Sequence, residues 1–371
     1  ISIVFIPLAS QVKATAIVTP ATGGSSISAD TTGGAYTSLT GPVISEGITA
    51  DIGTGTIILN VPSGFIFDTG GTAPTVLVTR TAGTGPSTRN INDVASGTSV
   101  AITSITTTQI TFTVTDITTT GVLNSLTWQN VRVRPSAGTP LASGNIVKTG
   151  TSSIVGVTDN ITNFGTLTEV AGVKIQLVIT TQPASSATAA TDFGTKPVIA
   201  VRDQFGNTVT SDNATIITYT TVLSTQVCGG TAGSGTLTST PANGATVSSG
   251  IMTYTAMQYS TAESIKICFS SSGITSALSD TIIVSAAPDT TAPAAVSNLA
   301  VSATAATTAT LTWTAPGDDG STGTATSYDI RYSTSSITSD NFSLAAQVTG
   351  EPAPQVAGSS DLSFEEEVKL D

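Results

Sequence analysis

Between Lys174 and Val284 short runs of alternating or β-branched apolar residues are bounded by Gly, Asn and Asp, a pattern of extended strands joined by tight turns. The stretch opens Lys174-Ile-Gln-Leu-Val-Ile-Thr-Thr-Gln-Pro183 and continues Lys196-Pro-Val-Ile-Ala-Val-Arg-Asp-Gln-Phe-Gly-Asn-Thr-Val209. In the second run the β-branched residues break at Asp203-Gln-Phe-Gly-Asn207 and then resume, as a tight turn between strands requires. Gly206 supplies the positive φ, and Asp203 and Asn207 can hydrogen-bond to the turn backbone. Gly235-Thr-Leu237, Ile251-Met-Thr-Tyr-Thr255, Ser264-Ile-Lys-Ile-Cys-Phe269 and Asp280-Thr-Ile-Ile-Val284 repeat the pattern. Roughly seven short strands in about 110 residues predict a two-sheet sandwich.

The whole chain shares this bias. Thr, Val and Ile dominate while Glu, Lys, Gln and Met are scarce, which predicts an all-β protein. With 371 residues, two or three tandem β-sandwich domains are expected. Only 10% of residues are charged and the net charge is −12, so nucleic acid is excluded as a partner for want of cations to neutralise phosphates. There is no histidine, which removes the commonest general base and the commonest zinc ligand.

The segments "ITTQP", "PVIAVRDQFGNTV", "GTL", "NG" and "SSSGITSALSDTIIV" resemble the Ig-like repeats of bacterial invasins and adhesins. The resemblance implies an Ig-like sandwich over residues 173–285 that serves as a stalk or spacer. Cys228 and Cys268, the only two cysteines, fall inside it. A redox or metal pair is disfavoured by their distance in sequence and the lack of histidine. A disulfide pinning two strands is expected instead, contributing on the order of 3–4 kcal/mol and implying an oxidising, extracytoplasmic compartment.

The first fourteen residues, Ile1-Ser-Ile-Val-Phe-Ile-Pro-Leu-Ala-Ser-Gln-Val-Lys-Ala14, are an apolar run followed by a small-residue site. They read as the tail of a signal peptide that lacks its basic start, or as a strand lent to a neighbouring subunit by Ile1, Ile3, Val4, Phe5, Ile6 and Leu8. The run is too short to span a bilayer. Residues 15–172 form a first β unit, with Gly55-Thr-Ile-Ile-Leu-Asn-Val-Pro-Ser-Gly-Phe-Ile-Phe-Asp68 as strand, turn, strand. Further strands are expected at 75–80, 99–105, 109–114 and 126–134, and a closing segment at 163–170, with Trp128 as a core anchor. The "GTIILNVPSGFIFD" stretch loosely resembles domains of large secreted bacterial proteins. A Pro/Ala/Thr linker covers 286–295.

Residues 296–371 resemble a fibronectin type III domain through Pro293, Leu299, Leu311, Trp313, Tyr328, Ile330 and Tyr332. The resemblance implies three opening strands built around those residues. It then departs: after Gly350 the family would add three more strands, and here about two are missing from the pattern, so an open edge and an apolar face are expected. Asp318 and Asp319, in Pro316-Gly-Asp-Asp-Gly320, offer oxygens for calcium but fit solvated turn residues better. Glu365-Glu-Glu367 reads as a solvated charge run.

No constellation for chemistry emerges. A nucleophile–His–acid triad is impossible, the acids are scattered in turns, and the glycines punctuate strands and form no phosphate loop. No catalytic, metal or cofactor site is expected. Asn160-Ile-Thr, Asn213-Ala-Thr and Asn341-Phe-Ser match the N-glycosylation pattern, as a Thr/Ser-rich chain does by chance. The expectation is a non-enzymatic subunit of an extracellular filament, sheath or surface layer whose copies join head to tail by strand exchange. The alternatives are a stalk or adhesin segment that meets cell-surface glycans, or an accessory module of a secreted polysaccharide-degrading enzyme.

Overall fold

The computed structural model describes residues 15–304, 308–361 and 365–367. The strand-donor residues Ile1, Ile3, Val4, Phe5, Ile6 and Leu8 lie outside them. The protein is all-β, with several sheets and only short 3-10 turns as helix. Among the described residues no helix is long and apolar enough to cross a membrane. The chain divides into two compact units, residues 1–286 and 287–371.

The first compact unit contains two separate hydrophobic cores. The N-terminal core lies among three sheets. One runs Ile17–Thr19, Val43–Ser45, Leu123–Gln129, Thr75–Ala82, Thr98–Ala101; the second runs Ile27–Ser28, Gly165–Val170, Ser143–Thr149, Gly55–Asn60, Gln109–Val114, Ser104–Ile105; the third holds Thr37–Ser38, Arg132–Pro135 and Phe65–Phe67. Alternation decides which residues enter. In Gln109–Val114 the buried positions are Ile110, Phe112 and Val114, and the Phe112 ring meets the edge of Trp128 at 6.2 Å.

Two segments expected as single strands are each two. Residues 126–134 divide between Leu123–Gln129 and Arg132–Pro135, which belong to different sheets. The chain turns between them at Asn130, whose φ of +57° suits asparagine better than most side chains. Trp128 and Val133 are buried on either side of the corner, so the apolar pattern runs through the bend and hides it. Residues 99–105 likewise become Thr98–Ala101 and Ser104–Ile105 in different sheets. A strand at Ser143–Thr149 has no clear apolar signature, because one of its inward positions is a lysine. Lys148 is buried, its Nζ donating to Ser152 O at 2.6 Å and to Asp159 Oδ1 at 2.8 Å.

The second core takes strands from Gln176–Thr181 to Ile282–Ser285. Its main sheet runs Ser186–Thr188, Ile282–Ser285, Ser264–Ser271, Ile274–Leu278, Gln176–Thr181, Val198–Arg202, Ile251–Thr253. Ile216–Leu223 pairs with Ser264–Ser271, and Leu237–Thr240 with Ala256–Tyr259. Tyr219, Tyr254 and Phe269 cluster with ring centroids 5.8 to 6.4 Å apart. Cys228 and Cys268 form a disulfide, but it does not join two strands as expected. Cys268 lies on Ser264–Ser271, whereas Cys228 lies in the turn that follows Ile216–Leu223. Those two strands already pair, so the bond pins a loop to a formed ladder.

In the second compact unit Ala300–Thr304, Thr308–Thr314, Ser360–Asp361 and Glu365–Glu367 make one sheet, and Arg331–Tyr332 pairs with Ala346–Gln347. Part of the strand material expected to be missing is therefore supplied by Ser360–Asp361 and by the backbone of Glu365–Glu367, both paired to Thr308–Thr314. Trp313 is buried and meets Tyr328 edge-on at 5.3 Å. Leu299, expected in the core, is 60% exposed. It borders an apolar groove of about 270 Å³ lined by Leu311, Trp313, Tyr328, Ile330 and Phe342, which the described residues leave open.

Candidate functional site

The most organised polar cluster lies where the first core gives way to the second. Gly165–Val170 is the last strand of one core and Gln176–Thr181 the first of the other, so only residues 171–175 connect them. A chain that short brings the turn after Val198–Arg202 against the end of the first core. That turn is Asp203-Gln-Phe-Gly-Asn207, closed by Gly206 at φ +85°.

Asp203 organises the contact. Its side chain is 0% exposed, and its Oδ1 accepts the Phe205 and Asn207 backbone N–H groups, both at 2.9 Å. Its Oδ2 accepts Asn207 Nδ2 at 2.9 Å and, from the connecting segment, the Gly172 N–H at 2.8 Å. Burial alone would raise the Asp203 pKa, but the bonds from Asn207, Gly172 and Phe205 outweigh it and hold the carboxyl below its ordinary value. Asn207 Nδ2 also donates to Gly138 O of the first core at 2.7 Å. The Phe205 ring lies directly over Gly138, where any Cβ would overlap it.

The first core answers with Asp30, from the 3-10 turn Ala29–Thr31. Its Oδ2 accepts the Val173 N–H at 2.6 Å and its Oδ1 accepts Gln204 Nε2 at 2.9 Å. Gly172 runs so close to Asp30 that a Cβ would overlap the carboxylate. Glu169, at the end of Gly165–Val170, is 3% exposed. Its Oε2 accepts the Ala142 N–H at 2.9 Å, while its buried Oε1 has no hydrogen-bond partner. Burial raises the Glu169 pKa above its ordinary value, the Ala142 N–H opposes this, and the charge of Asp203 adds to it. The arrangement binds chain to chain.

Sequence reading found the turn and missed its second role. The available signal was Phe205, a large apolar side chain at a turn tip, which is half-buried against the neighbouring core. The other singled-out residues are scattered. Asn160 is exposed with φ +60°; Asn213 is exposed, with its Oδ1 on the Ser249 N–H at 2.8 Å; Asn341 caps a turn through the Thr338 N–H at 2.6 Å. In Asn341 the amide nitrogen that a glycan would occupy donates to Ser336 O. Asp318 Oδ1 accepts the N–H groups of Asp319 and Thr324, both at 3.1 Å, and the charge of Asp289 raises the Asp319 pKa. Among the described residues no three His, Cys, Asp or Glu side chains are grouped to hold a metal ion.

No protein-family model matches the chain, and no curated protein does. Among solved structures it matches a protein from Corynebacterium diphtheriae described as membrane anchored, at 12% identity over 96% of this chain and 84% of the other. The TM-score is 0.19, so the two do not superpose.

Proposed function

We propose that this chain is a non-enzymatic structural segment of an extracellular cell-surface assembly, built from tandem β-sandwiches. In this reading residues 15–172 and 173–285 are separate sandwich domains, the latter Ig-like, and residues 296–371 are fibronectin type III-like. The observation that carries the reading is the joint. Asp203, Asn207 and Asp30 tie consecutive cores by direct hydrogen bonds over a five-residue connection, which suits a load-bearing rod better than domains that act independently. The Cys228–Cys268 disulfide supports an oxidising, extracytoplasmic setting.

Copies of the chain are the proposed partner, joined head to tail by a strand from residues 1–8, a heterologous contact that propagates as a filament. Electron microscopy of the intact protein and of a variant lacking residues 1–14 tests this. Fibres that dissolve into folded monomers on deletion are expected, and assembly that survives the deletion sinks strand exchange. The same joint suits a stalk that displays a binding tip to surface glycans, and an intact chain that never self-associates would favour it.

A further inference from the structure

We propose that Asn160 is the attachment site for an N-linked oligosaccharide, and that Asn213 and Asn341, which carry the same motif, are not. The proposal rests on the extracellular setting of the reading above, because this motif marks acceptors on secreted chains.

Chance supplies the motif in a Thr/Ser-rich chain; bonding and exposure decide which copy an enzyme can use. The motif demands an amide nitrogen at its first position and a hydroxyl at its third, so both groups must be within reach and free of other bonds. Asn341 fails at the first group. Its Oδ1 accepts the Thr338 N–H at 2.6 Å and its Nδ2 donates to Ser336 O at 3.0 Å. Asn213 fails at the third position. Thr215 is 4% exposed, and its hydroxyl donates to Asp212 Oδ2 while accepting Lys174 Nζ at 2.7 Å.

Asn160 meets both demands. It is exposed, and among the described residues nothing bonds its side-chain amide. Thr162 is half-buried, but its Oγ1 only accepts, from the Thr158 N–H at 2.9 Å, so its O–H is uncommitted. The turn is held in place through other groups. The Asn160 N–H donates to Lys148 O at 2.9 Å, and Asp159 Oδ1 takes the buried Lys148 Nζ at 2.8 Å. The Ile161 and Thr162 N–H groups donate to Thr158 O at 3.2 and 3.0 Å. A fixed scaffold therefore presents a free amide to solvent. Ile161, between the two motif residues, is 73% exposed and offers an apolar surface for the C–H face of the first sugar.

The donor is an oligosaccharide linked to a lipid through phosphate or pyrophosphate. Asn160 Nδ2 forms a bond to the anomeric carbon as that carbon's bond to the phosphate oxygen breaks. The lipid phosphate leaves with the electron pair, and one amide hydrogen leaves as a proton to a base of the transferring enzyme.

Protein isolated from the cells that make it is digested with trypsin without reduction and mapped by mass spectrometry. Cleavage after lysine and arginine puts each motif in its own peptide, 149–174, 203–266 and 332–369. The expected result is a saccharide on 149–174, placed on Asn160 by fragmentation that keeps the sugar attached, with bare asparagine in the other two. Asn160→Gly suits the φ of +60° and keeps the N–H bond to Lys148, and is expected to return 149–174 to its unmodified mass. Bare Asn160, a saccharide on Thr158 or Thr162 instead, or equal occupancy at Asn213 or Asn341 overturns the proposal, and the peptide map decides this without the variant. The same digest reports separately on the setting. Peptides 203–266 and 267–331 joined through Cys228 and Cys268 mean that the chain reached an oxidising compartment. Bare Asn160 in disulfide-linked protein removes the site and leaves that setting standing; bare Asn160 with free thiols removes both.

Discussion

Two turns look alike in the sequence and behave differently in the structure. Asp203-Gln-Phe-Gly-Asn207 and Pro316-Gly-Asp-Asp-Gly320 both combine aspartate and glycine in a short turn that follows a run rich in β-branched residues. In the first, the aspartate is fully buried and held by four hydrogen bonds, and its turn lies against the first core. In the second, Asp318 and Asp319 are exposed, and Asp319 responds mainly to the charge of Asp289. A turn's composition states that the chain reverses; what the turn touches is decided by the length of the neighbouring connection. Residues 171–175 leave too little chain for the second core to swing clear, so its turn becomes an interface.

The sharpest way to break this comparison is Asp203→Ala. It strands three backbone N–H groups and the Asn207 amide in a buried site, and a loss of roughly 3–4 kcal/mol is expected in denaturant unfolding. The same change at exposed Asp318, which accepts two N–H groups, should cost under about 1 kcal/mol. Equal costs would mean that the joint adds nothing to the turn. Gly138→Ala isolates the interface from the turn itself, since it leaves Asp203 and its donors in place. The new methyl overlaps the Phe205 ring, and about 1–3 kcal/mol of overpacking is expected, with exchange at Gly172 and Val173 rising while the interior of the second core stays protected. Unchanged exchange at both amides would detach Phe205 from the joint.

Much of this architecture was legible because period-two alternation survives wherever a strand has one wet face. It failed where physics allowed exceptions. The corner at Asn130 is hidden because buried residues continue on both sides of it, and Ser143–Thr149 is masked by an inward lysine that finds Ser152 O and Asp159. Leu299 misled in the opposite direction: its apolar character implied a core, but the described residues do not cover it. The joint itself was half legible. Asp203, Gly206 and Asn207 advertise a turn by local chemistry, whereas Asp30 and Gly138, which complete it, are distant in sequence and carry no local sign of their role. Partner choice across such a gap depends on the packing of two whole cores, and no spacing rule reaches it.

The smallest effect separates the two turns by the origin of their electrostatics. Asp203 is shifted down by hydrogen bonds inside a buried site, and such bonds are little affected by salt. Asp319 is shifted up, first by the charge of Asp289 in an exposed position, where mobile ions screen the interaction. Raising ionic strength to about 1 M, where the screening length falls to roughly 3 Å, should return Asp319 toward the ordinary range and leave Asp203 where it is. Asp289→Asn should move Asp319 the same way at low salt, because it removes the charge that is the first cause of the shift. Carboxyl titrations by NMR read both residues in one sample. If salt moved the two alike, Asp203 would be governed by long-range charge and not by its four donors, and the contrast between the turns would reduce to burial alone.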